Sequence, residues 1–97
     1  MATYVTLYNF TDQGLKNIKD TVKRAEAAKK AAAAMGATIK EFVWTQGQYD
    51  MVAITEVSDE VGANASALRT LTHGNVRAQT MRAFTAAEME KFLEKVG

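Results

Sequence analysis

The 97-residue chain alternates strand-like and helix-like apolar patterns in an order that predicts an α+β ferredoxin-like domain, β-α-β-β-α-β with one added helix. Three observations carry that expectation. Thr3 to Phe10 is β-branched or aromatic at almost every position; Thr45-Gln46-Gly47-Gln48-Tyr49-Asp50 sets a glycine turn between two apolar strand-like segments; Ser58-Asp59 and Thr85-Ala86-Ala87-Glu88 read as helix starts. A chain of this length makes one domain, 1–97, and can bury little more than a single antiparallel sheet with helices on one side.

The first strand, Thr3–Phe10, sets Val5 and Leu7 on one face and Tyr4, Thr6, Tyr8 and Phe10 on the other. Thr11-Asp12 then caps a helical pattern in which Leu15, Ile18, Val22, Ala25, Ala28, Ala32 and Met35 recur until Gly36 stops it. Unbroken, that helix would outrun the strands it must cover, so a break is expected near Asp20-Thr21, with the better helix over Thr21–Met35. Thr38–Thr45 reads as the second strand, with Ile39 and Val43 opposite Lys40, Phe42 and Trp44, and Tyr49–Val57 as the third, joined to it by a Gln46-Gly47 hairpin. After Ser58-Asp59, Val61, Ala65, Leu68 and Leu71 or Thr72 mark the inner stripe of a second helix closed by His73-Gly74-Asn75. Val76–Phe84 is the fourth strand. Thr85-Ala86-Ala87-Glu88 has the form of a capping box, and Met89, Phe92, Leu93 and Val96 stripe a terminal helix.

Helices on one side leave the other side of the sheet bare. Some combination of Tyr4, Tyr8, Phe42, Trp44, Met51 and Met81 on that side would form an apolar patch larger than soluble monomers tolerate, so a homodimer packed sheet on sheet is expected, with further assembly open.

Composition narrows the function classes. Twelve basic and eleven acidic residues spread along the chain give a net charge of +1, which supplies no field to attract nucleic acid or an anionic membrane. Without cysteine there is neither a disulfide nor a thiolate nucleophile, a pattern that fits a reducing compartment. His73, the single histidine, cannot build a multi-histidine metal site, and nothing calls for a cofactor. Met1-Ala2-Thr3-Tyr4 enters a strand directly, without a charged leader or an apolar run of membrane length, so a cytoplasmic protein is expected.

Gly47-Gln48-Tyr49-Asp50 resembles the signature of the GYD domain family, small bacterial and archaeal proteins named for a Gly-x-Tyr-Asp stretch. The likeness extends over nearly the whole chain: the opening Tyr-Val-Thr-Leu-Tyr-Asn-Phe-Thr strand, Gln13-Gly14-Leu15-Lys16, Gly36, and Arg82-Ala83-Phe84. The family has no established function, and the resemblance implies a dimeric α/β barrel in which two ferredoxin-like protomers pack sheet on sheet. The Gly-x-Tyr-Asp hairpin followed by a helix and Gly74-Asn75-Val76 is also similar to the effector-binding domain of Lrp/AsnC-type regulators, although this chain lacks their DNA-reading domain. Cofactor-free monooxygenases, small isomerases and haem enzymes share the fold group, and a fold does not choose among them.

Each candidate residue carries a functional reading and a plain one. Tyr49 and Asp50 can bind a ligand through hydroxyl and carboxylate, or pack at a barrel rim and tie the hairpin to backbone N–H groups or to an arginine. His73 can act as a general base or axial haem ligand at a cavity mouth, or bond the last carbonyls of its helix. Tyr4, Tyr8, Phe42 and Trp44 can line a pocket for a planar organic molecule, or form the dimer core. Arg77 and Arg82 lie on opposite faces of the last strand, and either can bind a carboxylate or pair with Asp50 or Glu41. Lys16, Lys19, Lys23, Arg24, Lys29 and Lys30 form the solvated face of the first helix.

The leading expectation is a stand-alone module binding a small organic molecule through Tyr49, Asp50, His73 and one arginine, between sheet and helices or at the subunit junction. Two alternatives stand beside it. One is a cofactor-independent monooxygenase or isomerase using Asp50 or His73 as base; the other is a purely structural or interaction protein. Ser58 and Ser66 have no nucleophile elbow around them, and no phosphate-binding glycine loop is present.

Overall fold

β-Branched and aromatic residues favour extended backbone over Ala2–Phe10, and the computed structural model, which describes residues 1–97, makes it the inner strand β1 of a four-stranded antiparallel sheet. Thr11 accepts a hydrogen bond from the Gly14 amide and caps α1 (Asp12–Lys16). A 3₁₀ turn over Ile18–Asp20 separates it from α2 (Thr21–Ala34), the break falling where helix length required one. β2 (Ala37–Trp44) and β3 (Met51–Val57) follow. Asp59 accepts from the Val61 and Gly62 amides to cap α3 (Glu60–Thr72), and β4 (Val76–Ala83) leads into α4 (Ala86–Val96). Thr85 and Glu88 complete the capping box reciprocally. The strand order β2-β3-β1-β4 is that of the ferredoxin-like class.

Three local features differ from the sequence expectation. β3 starts at Met51 rather than Tyr49, and residues 45–50 form a loop closed by the Thr45 amide donating to the Asp50 carbonyl at 2.8 Å. A bulge between Ile39 and Glu41 shifts the register of β2, so Phe42 and Trp44 share the face of Ile39, and Val43 takes the other. The inner face of α3 is not the expected apolar stripe: Val61 and Leu68 are 81% and 63% exposed, while Ser66 is the buried residue of that helix.

The bulge also relocates Phe42 and Trp44. Tyr4, Tyr8, Phe42, Trp44 and Met51 lie on the helix side of the sheet; of the residues expected on the bare side, only Met81 is there. Tyr8, Phe42 and Trp44 stack in a row, with successive centroids 5.8 Å apart, above Ala53 and Met51 of β3. Ala53 is completely buried, and a larger side chain there would lift the row. The bare side is apolar by other residues: Val5, Leu7, Val43, Val52, Ile54 and Met81, with Val43, Ile54 and Met81 each more than a third exposed.

The core under the helices is thin. Its buried cluster is Ala32, Ala37, Ile39, Ala53 and Val57, and no large side chain is fully buried anywhere. Gly62 lets α3 approach the end of α2 closely, since a Cβ there would stand 2.1 Å from the Met35 carbonyl oxygen. Small residues bring the two helices together, but they do not fill the space between α3 and the sheet.

Candidate functional site

That unfilled space is a slot between α2 and α3 above the sheet. It consists of two neighbouring cavities of about 190 and 300 Å³ that share Tyr8, Ala28, Ser66 and Thr70. The smaller runs toward Tyr4, Thr80 and Glu60, where the Tyr4 hydroxyl donates to the Glu60 carboxylate at 3.3 Å. The larger runs toward Phe10, Phe42 and Met51 and opens beside Arg24, Arg69 and His73. Burial pushes the Tyr8 phenol above its ordinary pKa, an effect partly offset by hydrogen bonding to Thr6, so at neutral pH it is an uncharged donor and acceptor in the middle of the slot.

The expected site residues do not converge there. Tyr8 and His73 line the slot. Trp44 stands at its edge, its indole N–H donating to the Thr21 hydroxyl at 3.0 Å and so holding the start of α2 to the end of β2. Asp50 lines neither cavity; its Oδ2 accepts from the Phe10 amide at 2.9 Å while its own amide donates to the Tyr8 carbonyl. Tyr49 crosses β1 to donate to Gln79 Oε1 at 2.9 Å. Arg77 alternates onto the bare side of the sheet, opposite Asn9. Arg82 lies at the far end of the helix side, its guanidinium 5.7 and 4.5 Å from the Tyr4 and Phe84 ring centroids, bonded to the Thr3 and Ala83 carbonyls and paired with Glu88 at 3.6 Å. Tyr49, Asp50, His73, Arg77 and Arg82 are thus spread over both faces of the sheet, with Arg82 at the opposite end from the rest.

One knot of contacts joins several of these motifs. The Thr11 amide donates to the Asn75 carbonyl at 3.1 Å, its hydroxyl donates to the Gly74 carbonyl, and Gln13 Nε2 donates to the His73 carbonyl at 2.8 Å and to Asn75 Oδ1 at 3.1 Å. Gly14 is required at this crossing, since a Cβ would lie 2.0 Å from the Asn75 carbonyl oxygen. Asn9 Nδ2 reaches the Gln48 carbonyl at 2.8 Å, and the Asp50 clamp on Phe10 completes the tie. Arg24 is held from the same place, donating to the Asn17 carbonyl at 2.6 Å.

Sequence reasoning missed Arg24, Ser66, Arg69 and Thr70 as slot residues. Arg24 stands among the lysines of a solvated helix face. Ser66, Arg69, Thr70 and His73, however, recur at helical spacing, and a polar stripe of that period parallel to the apolar one was the available signal.

No group of three or more potential metal ligands occurs, and no helix is long and apolar enough to cross a membrane. Fold and slot together define a ferredoxin-like α+β domain with an internal space between its helices and sheet. The GYD domain profile matches residues 4–93, and the chain belongs to the GYD domain family. Among solved structures it is similar to TTHA0845 from Thermus thermophilus, at 24% identity and a TM-score of 0.55 over 89% of this chain and 96% of that one. A homoserine dehydrogenase from Thiobacillus denitrificans matches at 23% identity and a TM-score of 0.49, over 84% of this chain and 16% of that enzyme. No curated protein matches.

Proposed function

We propose that this GYD-family protein is a stand-alone homo-oligomeric module that binds a small organic molecule in the slot between α2, α3 and the sheet. The observation that supports this reading is the slot itself: a mainly apolar space with a few inward hydroxyls, reaching the lower end of the roughly 300–1,000 Å³ range of small-molecule sites. A domain this short of buried side chains gains from filling that space, and Ser66 and Thr70 place hydrogen-bonding groups on its wall without closing it.

A second copy covers the bare side of the sheet in this reading. Val43, Ile54 and Met81 are more exposed than a monomer favours, and they are rimmed by Lys40, Glu56 and Arg77, charges of both signs that a two-fold partner can match. α4 adds Met89, Phe92, Leu93 and Val96, all at least 44% exposed, as a second apolar surface through which dimers join further.

Native mass spectrometry of the protein as purified, repeated under denaturing conditions, tests both parts. The expected result is an even multiple of the chain mass carrying a small mass that is lost on denaturation. A clean monomer at micromolar concentration overturns the assembly, and Ile54→Lys on the bare sheet face should produce that monomer if the face is the interface. Ser66→Trp, which fills the slot, should remove the bound mass and leave the oligomer intact.

A further inference from the structure

The two ends of the slot differ in charge. Arg24, Arg69 and His73 all face the larger cavity, whose lining contains no carboxylate at all, and none of the three belongs to either ion pair of the chain, Lys40–Glu56 or Arg82–Glu88. Arg24 donates to two backbone carbonyls, those of Asn17 and Gly14, which fix its guanidinium without neutralising it, and five N–H donors leave several free. The single acid of the slot, Glu60, is at the other end and accepts from Tyr4. Two arginines at the mouth of an apolar space, beside His73 and with no carboxylate in the lining, are arranged for an anion supplied from outside.

We propose that the slot takes an organic acid: a flat, mainly apolar body under α2 and α3 against Tyr8 and Phe42, with its carboxylate at the mouth between Arg24, Arg69 and His73. This rests on reading the slot as the small-molecule site. The mouth lies between the last turn of α3, which carries Arg69, and the first turn of α2, which carries Arg24, so two guanidinium forks from different helices can grip one planar carboxylate. Uncharged Tyr8 and the hydroxyls of Ser66 and Thr70 make the middle of the slot polar without charge, and Glu60 at the far end selects against a ligand with a second anionic group there.

The test is a two-dimensional amide NMR titration with 1-naphthoate and with 1-naphthalenemethanol, which share their rings and differ in charge. Both should shift the amides of Ala28, Ser66 and Thr70, with naphthoate bound about tenfold or more tightly. Arg69→Gln should lower naphthoate affinity about tenfold and leave the alcohol unchanged, and it avoids disturbing the carbonyl contacts of Arg24; Arg24→Gln should act in the same direction. Equal affinity for the two probes, or indifference of naphthoate to both arginine variants, overturns the anion assignment and leaves the slot reading standing. If a folded spectrum shows neither probe moving slot amides, or shifts only on the bare sheet face or α4, the slot reading falls and this inference falls with it.

Discussion

At the end of the sheet where β1 finishes and β4 begins, side-chain hydrogen bonds from Asn9, Thr11, Gln13 and Asp50 bind three segments of chain into one knot. At the opposite end β4 runs on into α4, which makes few contacts with the rest of the protomer, and the molecule is elongated, 52 Å along its longest axis against 31 and 17 Å along the other two. Arg82 is the main fastening there, stacked between Tyr4 and Phe84 and paired with Glu88, while Phe84 and Phe92 meet edge to face at 4.8 Å. The difference separates two tasks. The knotted end holds the protomer together and, through Arg24 and His73, shapes the slot mouth; the free end presents apolar surface outward. The family-signature residues belong to the knotted end, where Asp50 is a structural clamp on the β1 backbone.

Substitutions at the two ends should differ in kind. The largest effect is expected for Gly14→Val, which forces a side chain into the Asn75 carbonyl and should cost about 3 kcal/mol in urea unfolding. An unchanged midpoint would show that the knot yields easily. Asp50→Ala comes next: it leaves the Phe10 amide without its acceptor and should cost about 1–3 kcal/mol, whereas Asp50→Asn keeps an acceptor oxygen and should cost less. If the alanine variant melts like the parent but loses a bound ligand, Asp50 belongs to the site after all. At the free end, Phe92→Ser should change protomer stability by under about 1 kcal/mol, the scale of one aromatic pair, while reducing assembly in sedimentation velocity.

The smallest effect is a pH dependence. Hydrogen bonds from Thr85, chiefly its amide, hold the Glu88 carboxyl below its ordinary pKa, with Arg82 adding to the shift. The folded chain therefore binds that proton less readily than the unfolded chain. Its contribution is present above the ordinary carboxylate value and is lost as pH falls through the lowered one. Circular dichroism should show α4 helicity declining on acidification in the parent, with a shallower decline in Glu88→Gln. Equal pH profiles would count against the capping box as the source of α4 order.

Much of the fold is legible in the sequence because its signals are local. The caps at Thr11, Asp59 and Thr85 and the break before Thr21 can be read from short stretches of chain, since capping hydrogen bonds span only a few residues. The bulge near Lys40 has no such signature, and by shifting one residue it carries Phe42 and Trp44 from the bare side to the helix side. The stripe of α3 misleads because Val61 and Leu68 are larger than Ala63 and Ser66, and size does not fix inward orientation. The site is less legible still: His73 and Tyr8 do line the slot, whereas Tyr49, Asp50, Arg77 and Arg82 go to other contacts or to the other face.

What the sequence determined alone is the ferredoxin-like order of elements, their approximate limits and the family signature, all written in periodicity and in caps a few residues long. What only the tertiary structure decided is the faces and the neighbours: which aromatics look toward the helices, that Gly14 must pass beside Asn75, and that Arg24 and Arg69 line one cavity. Those depend on strand register and on the height of a helix above a sheet, which are set by packing between residues far apart in the chain.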